Sequence, residues 1–187
     1  MYAIRRRQML AGMAASGMLV AMRAIPVLAD DELREHARRR ARQAINAFVT
    51  VLAGHGHAAV AAGQLAPERA ASDAVRAYAQ QVVQERAPMT EALYQRADAS
   101  NVDAPRALLA DDAAAIEMLR GLSGGAFDAA FVEFMVLRLR SDGRATERVT
   151  STAKTEGWHT YANDLKPVLT GELRQGEALA AALGVVV

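Results

Sequence analysis

Four histidines and no cysteine set the first limit on what chemistry this 187-residue chain can perform. Without cysteine there is no thiol nucleophile, no thiolate metal site and no disulfide framework. Two of the histidines sit close together, as His55-Gly56-His57. Imidazole suits copper or nickel, so the pair is a metal candidate. On a helix, however, residues two apart point about 200° away from each other, and the pair can share an ion only where the glycines unwind the segment. His55 falls on an apolar stripe, which predicts a partly buried, hydrogen-bonded ring, and His57 is expected to be exposed. The one Glu-x-x-His sequence is Glu156-Gly157-Trp158-His159. A di-iron carboxylate bundle needs two such motifs, plus a glutamate from each of two further helices. A single copy across a glycine at a helix start reads as a capping acid beside a surface histidine.

Two charges fall where charges are costly. Arg86 lies between Val82 and Met89 on one apolar stripe, and Glu172 between Leu169 and Leu179 on another. A lone charge inside a helical core costs several kcal/mol, of order 3–5 when a buried partner is missing, so each needs a partner or a route to water. Arg86 and Glu172 are therefore expected to form an internal polar pair, unless they snorkel out at the stripe edge. Ser72-Asp73 and Ser141-Asp142 read as helix caps or surface residues. No Ser/His/Asp signature, phosphate loop or dinucleotide motif is present.

Four long helices and one short one would have to carry these residues. From Leu33 onward apolar positions recur at three- and four-residue steps, the mark of amphipathic helices. The spacing predicts a first helix over about 33–66, with a bend or break near His55 where glycines cluster. Ser72 is the expected N-cap of a second helix reaching Ala99, with Pro88 inside it. A short helix follows from Pro105 to Leu122, and Gly124-Gly125 breaks the chain. The last two helices are expected over about 126–153 and 158–183. Short links between helices of this length favour antiparallel neighbours. The fold class is all-α: a four-helix bundle with a short extra helix in the middle crossover.

The N-terminus reads as an address. Arg5, Arg6 and Arg7 precede an apolar run from Met9 to Met22, and Val27-Leu28-Ala29 supplies small residues before a cut. That is the layout of a secretory signal peptide over residues 1–29, cleaved after Ala29, leaving a single domain over 30–187. Arg6-Arg7-Gln8-Met9-Leu10 resembles the twin-arginine export motif. The expected compartment is the periplasm, with envelope association open. The whole chain carries a formal charge of +1, but the leader holds four arginines and no acid. Eighteen bases against twenty-one acids remain, a net charge of −3, which makes nucleic acid an unsuitable partner. Arg38, Arg39, Arg40 and Arg42 form a basic cluster that could meet an anionic lipid or an envelope protein. The other reading is a solvated helix face balanced by Asp30, Asp31, Glu32 and Glu35.

Several segments, in order, resemble a known family. They are Gly63-Gln64-Leu65-Ala66, Arg69-Ala70, Val75-Arg76-Ala77-Tyr78-Ala79-Gln80-Gln81-Val82-Val83, Leu122-Ser123-Gly124 with Phe127-Asp128 and Phe131, and Leu165-Lys166-Pro167-Val168-Leu169. Together they are similar to the exported ferritin-like family catalogued as domain of unknown function 4142. The resemblance implies a ferritin-like form of the four-helix bundle. It also implies polar core positions that this chain has largely replaced. Ala59 stands for a glutamate, Glu85-Arg86 for Asp-His, Leu139 for one histidine and Glu172 for another. Only acids at Glu85 and Glu172 remain where metal ligands would be sought. His55, His57, Glu85, Glu156 and His159 are thus weak metal candidates, and no cofactor is expected. The functional expectation is a non-catalytic envelope or stress-associated interaction protein. A ferritin-like metal or redox protein and a small-ligand or lipid carrier are the alternatives.

Overall fold

The structure is a computed structural model that describes residues 21–153 and 156–187, with the backbone alone described for 21–29 and for Glu156. Arg6 and Arg7 lie outside the described residues, and Ala29 falls within helical backbone. Six helices follow one another: α1 (Ala21–Gly63), α2 (Ala66–Arg69), α3 (Asp73–Ala99), α4 (Ala110–Arg120), α5 (Gly124–Thr152) and α6 (Glu156–Leu183). Among the described residues there is no strand, and the sole β-type pairing is an isolated bridge between Ala70 and Gly124. The protein is all-α.

The chain divides into two compact units, one ending at Ala37 and one spanning Arg38–Val187. In the first, residues 30–37 are exposed, and Arg34 pairs with Asp30 at 2.5 Å one turn away. The second holds the core. There α1 buries Ile45, Phe48, Val49, Leu52, Ala59 and Ala62, a stripe at helical spacing. The helical stretch Asp30–Arg69 includes a window long and apolar enough to cross a membrane, but 56% of that window is buried, as in a core helix.

The glycines near His55 do not break α1. They let neighbours approach: a Cβ on Gly54 would stand 2.7 Å from the Leu109 side chain, and one on Gly56 would collide with the Thr90 hydroxyl. Backbone closeness, rather than flexibility, explains them. Ser72 caps α3 by accepting from Val75 N–H, and the α5 residue Asp128 accepts from the Ala71 and Ser72 N–H groups at 3.2 and 2.9 Å. Pro88 lies inside α3 on an exposed face, and the helix continues through it to Ala99.

The short helix is shorter than its sequence suggests, beginning at Ala110 rather than Pro105. The Pro105 carbonyl accepts from the Tyr94 hydroxyl at 2.7 Å, and Arg106 grips Asp98 at 2.7 Å. Those tertiary bonds hold the 105–109 segment out of helical geometry. Gly124 starts α5 instead of ending a segment, and its φ of +65° explains why glycine stands there. Helices α5 and α6 pack along each other, α3 lies against α6, and α4 against α5. Phe127 stacks on Phe131, which meets Tyr78 edge-on at 6.2 Å, so aromatics of α3 and α5 lock together.

Candidate functional site

Four long helices each send one polar side chain to a single buried cluster. His55 comes from α1, Arg86 from α3, Asp142 from α5 and Glu172 from α6. Arg86 is only 1% exposed, and its guanidinium bridges the two acids. Arg86 Nη1 donates to Asp142 Oδ2 at 2.8 Å, Arg86 Nε donates to Glu172 Oε2 at 2.8 Å, and Nη2 lies 2.6 Å from the same oxygen. Two N–H groups on one carboxylate oxygen and a third on another helix's carboxylate suit the planar fork of arginine, and lysine has no such fork. His55 Nδ1 then contacts Asp142 Oδ1 at 2.6 Å, so both Asp142 oxygens are engaged.

Further bonds fix the acids. The Thr146 hydroxyl donates to the Asp142 carbonyl at 2.7 Å, and the Tyr78 hydroxyl donates to the Glu172 carbonyl at 3.1 Å. One oxygen, Glu172 Oε1, is buried with no hydrogen-bond partner. Burial raises the Glu172 carboxyl above the usual glutamate range, opposed by Arg86 and supported by the negative charges of Glu85 and Asp142. Burial would lower the Arg86 pKa, but the two carboxylates more than reverse this, so the guanidinium stays charged. Burial also raises the Tyr78 hydroxyl, which remains a donor.

The remaining candidates whose side chains are described do not join the cluster. His57 contacts the Tyr94 hydroxyl and is half-buried; the exposed ring expected from its place off the apolar stripe is corrected by that partner on α3. Tyr94 in turn donates to Pro105, so the three residues tie α1, α3 and the loop before α4 together. Glu85 accepts from Gln81 within its own helix at 3.0 Å. His159 is half-buried beside Asn163, one turn along α6, and Glu156 is described by its backbone alone. Arg38, Arg39, Arg40 and Arg42 are all exposed on α1.

Asp142 is the residue that sequence reasoning missed. Its place in Ser141-Asp142-Gly143 reads as a cap or surface acid, yet it is fully buried inside α5. The available signal was spacing: Asp142 lies seven residues after Met135 and seven before Val149, both in the core. A second pair was also overlooked. Asp112 of α4 is 2% exposed and is held by Arg138 of α5 at 2.8 Å, with the guanidinium 4.5 Å from the Phe134 ring centre. That contact fastens the short helix to the core.

The family model described as Domain of unknown function (DUF4142) matches residues 31–179. The chain belongs to this family. No curated protein and no solved structure matches it. Membership of the DUF4142 family accounts for the run of shared segments, and it assigns no role. Where the family resemblance implies polar core positions, Ala59 and Leu139 of this member are buried apolar residues, and the charge on α5 sits at Asp142 instead. Among the described residues, no group of three or more histidines and acids is placed to hold a metal ion. The oxygens that would ligate one at the cluster are already committed to N–H donors, apart from Glu172 Oε1.

Proposed function

We propose that this chain is a non-catalytic interaction protein of the bacterial envelope or its stress response, built as a ferritin-like four-helix bundle of α1, α3, α5 and α6 with α4 in the crossover. One observation carries the reading: the Arg86 guanidinium stands between the carboxylates of Asp142 and Glu172. In bundles of ferritin-like type, acids and histidines from facing helices converge on metal ions. Here the convergent acids have a resident cation from the chain itself, so the cluster serves to hold four helices in register. The residues present do not fit a metal, and no redox step is assigned to them.

Metal analysis tests this directly. The protein is purified without chelator and without affinity histidines, and its iron, copper and zinc are measured against protein. The expected result is no stoichiometric metal; one equivalent of any of the three would overturn the reading.

The same proposal places the protein in the periplasm, exported by a twin-arginine leader over residues 1–29. Cleavage after Ala29 would leave Asp30-Asp31-Glu32 at the new start of α1, where the positive end of the helix dipole favours acids. N-terminal sequencing of the exported protein is expected to begin at Asp30. Replacing Arg6 and Arg7 with lysine is expected to retain the precursor in the cell, and unchanged export would remove the twin-arginine route.

A further inference from the structure

We propose that the cleft between α1 and α5 lined by Arg40, Gln43, Ala44, Arg148 and Thr152 binds a phosphate group. Arg40 and Arg148 are far apart in sequence and come from different helices, yet they face one notch of about 230 Å³. That is smaller than the roughly 300–1,000 Å³ of a drug-sized ligand site and suits a single anionic group.

Charge is the stronger argument. Several surface arginines of this chain are paired with acids: Arg34 with Asp30, Arg76 with Asp73, Arg106 with Asp98, Arg120 with Glu117 and Arg140 with Glu177. The guanidinium groups of Arg40 and Arg148 have no carboxylate or hydrogen-bond acceptor among the described residues. Two like charges sharing a notch repel each other, and an anion between them converts the repulsion into two attractions. Guanidinium forks match phosphate oxygens in pairs, and the Gln43 amide adds a further donor.

The C-terminal end of α5 carries a partial negative charge, so the attraction for an anion rests on the guanidinium groups. Glu147 is the neighbouring acid, but its side chain leaves the helix about 100° away from that of Arg148. Arg144, one turn before Arg148, is exposed and adds to the positive field.

A phosphate group can come from inorganic phosphate or from an anionic lipid headgroup, and the site chemistry is common to both. The proposal depends neither on export nor on the metal content of the core.

The test uses the full chain, the double variant Arg40→Gln/Arg148→Gln, and Arg174→Gln as a control exposed arginine on α6. Binding of inorganic phosphate is followed by calorimetry. Co-sedimentation is measured with phosphatidylcholine vesicles, with and without phosphatidylglycerol. Each lost charge-assisted contact is expected to weaken phosphate binding about tenfold. Arg174→Gln should bind as the parent does. The N-terminal apolar segment is present in all three proteins, so differences between them report the cleft. Loss of both phosphate and phosphatidylglycerol binding in the double variant supports a headgroup ligand; loss of phosphate binding alone supports a soluble phosphate. Equal binding by parent and double variant, or an equal loss in Arg174→Gln, would overturn the proposal.

Discussion

Arg86 and the Arg40–Arg148 pair put the same side chain into opposite surroundings. Arg86 is 1% exposed and spends its donors on two carboxylates, while Arg40 and Arg148 stand in solvent with no acid across from them. The first guanidinium had to be paired, because an uncompensated charge in the core would cost more than most single interactions contribute. The other two can remain unpaired, because water screens them. Burial decides which guanidinium must be paired within the fold and which can be left to solvent.

The largest expected effect comes from breaking the buried side. Arg86→Met leaves Asp142 and Glu172 facing each other without their cation, and a loss of about 3–5 kcal/mol is expected by urea unfolding. Stability equal to the parent would mean that the buried and exposed arginines do not differ energetically. Replacing Arg86, Asp142 and Glu172 together with well-packed apolar residues is expected to recover most of that loss. Failure to recover it would show that the pairs contribute more than mutual compensation.

Next in size is Asp142→Asn. It removes the charge that both Arg86 and His55 contact, and about 1.5–3 kcal/mol of destabilisation is expected in the same assay. A change as small as that of a surface substitution would place the hub of the cluster elsewhere.

A pH series sharpens the contrast further. Burial holds the Glu172 carboxyl above the ordinary range, so the folded state keeps this proton to higher pH than the unfolded chain does. The stability linked to Glu172 is therefore full below the ordinary glutamate pKa and is lost as pH rises through the raised value. Measured against Glu172→Gln, which cannot ionise, the parent is expected to lose relative stability as pH climbs through that window. A relative gain would reverse the sign and show that Arg86 outweighs burial.

The smallest expected effect belongs to the exposed side. Arg40→Gln/Arg148→Gln should change unfolding stability by no more than about 0.5 kcal/mol without phosphate present. A loss of several kcal/mol would make these arginines structural and erase the distinction.

Much of the helical order was legible in the sequence. Stripes at three- and four-residue steps marked the long helices, and Ser72 announced the start of α3. Boundaries went astray where tertiary bonds outweigh local preference. The 105–109 segment stays non-helical because Tyr94 and Arg106 hold it, and glycines that suggested a break in α1 instead seat Leu109 and Thr90. Arg86 and Glu172 stood out because a charge on an apolar stripe is anomalous by itself. Asp142 did not, because Ser-Asp-Gly imitates a turn.

By itself, then, the sequence determined an all-α chain, the stripes that face inward and two charges that could not stay alone. Those follow from periodicity and desolvation, which act along one helix at a time. Only the tertiary structure decided which partners those charges took. It put His55, Arg86, Asp142 and Glu172 on four helices within hydrogen-bond reach, and it set Arg40 beside Arg148. Rotation and offset between packed helices fix such meetings, and a single helix carries no record of either.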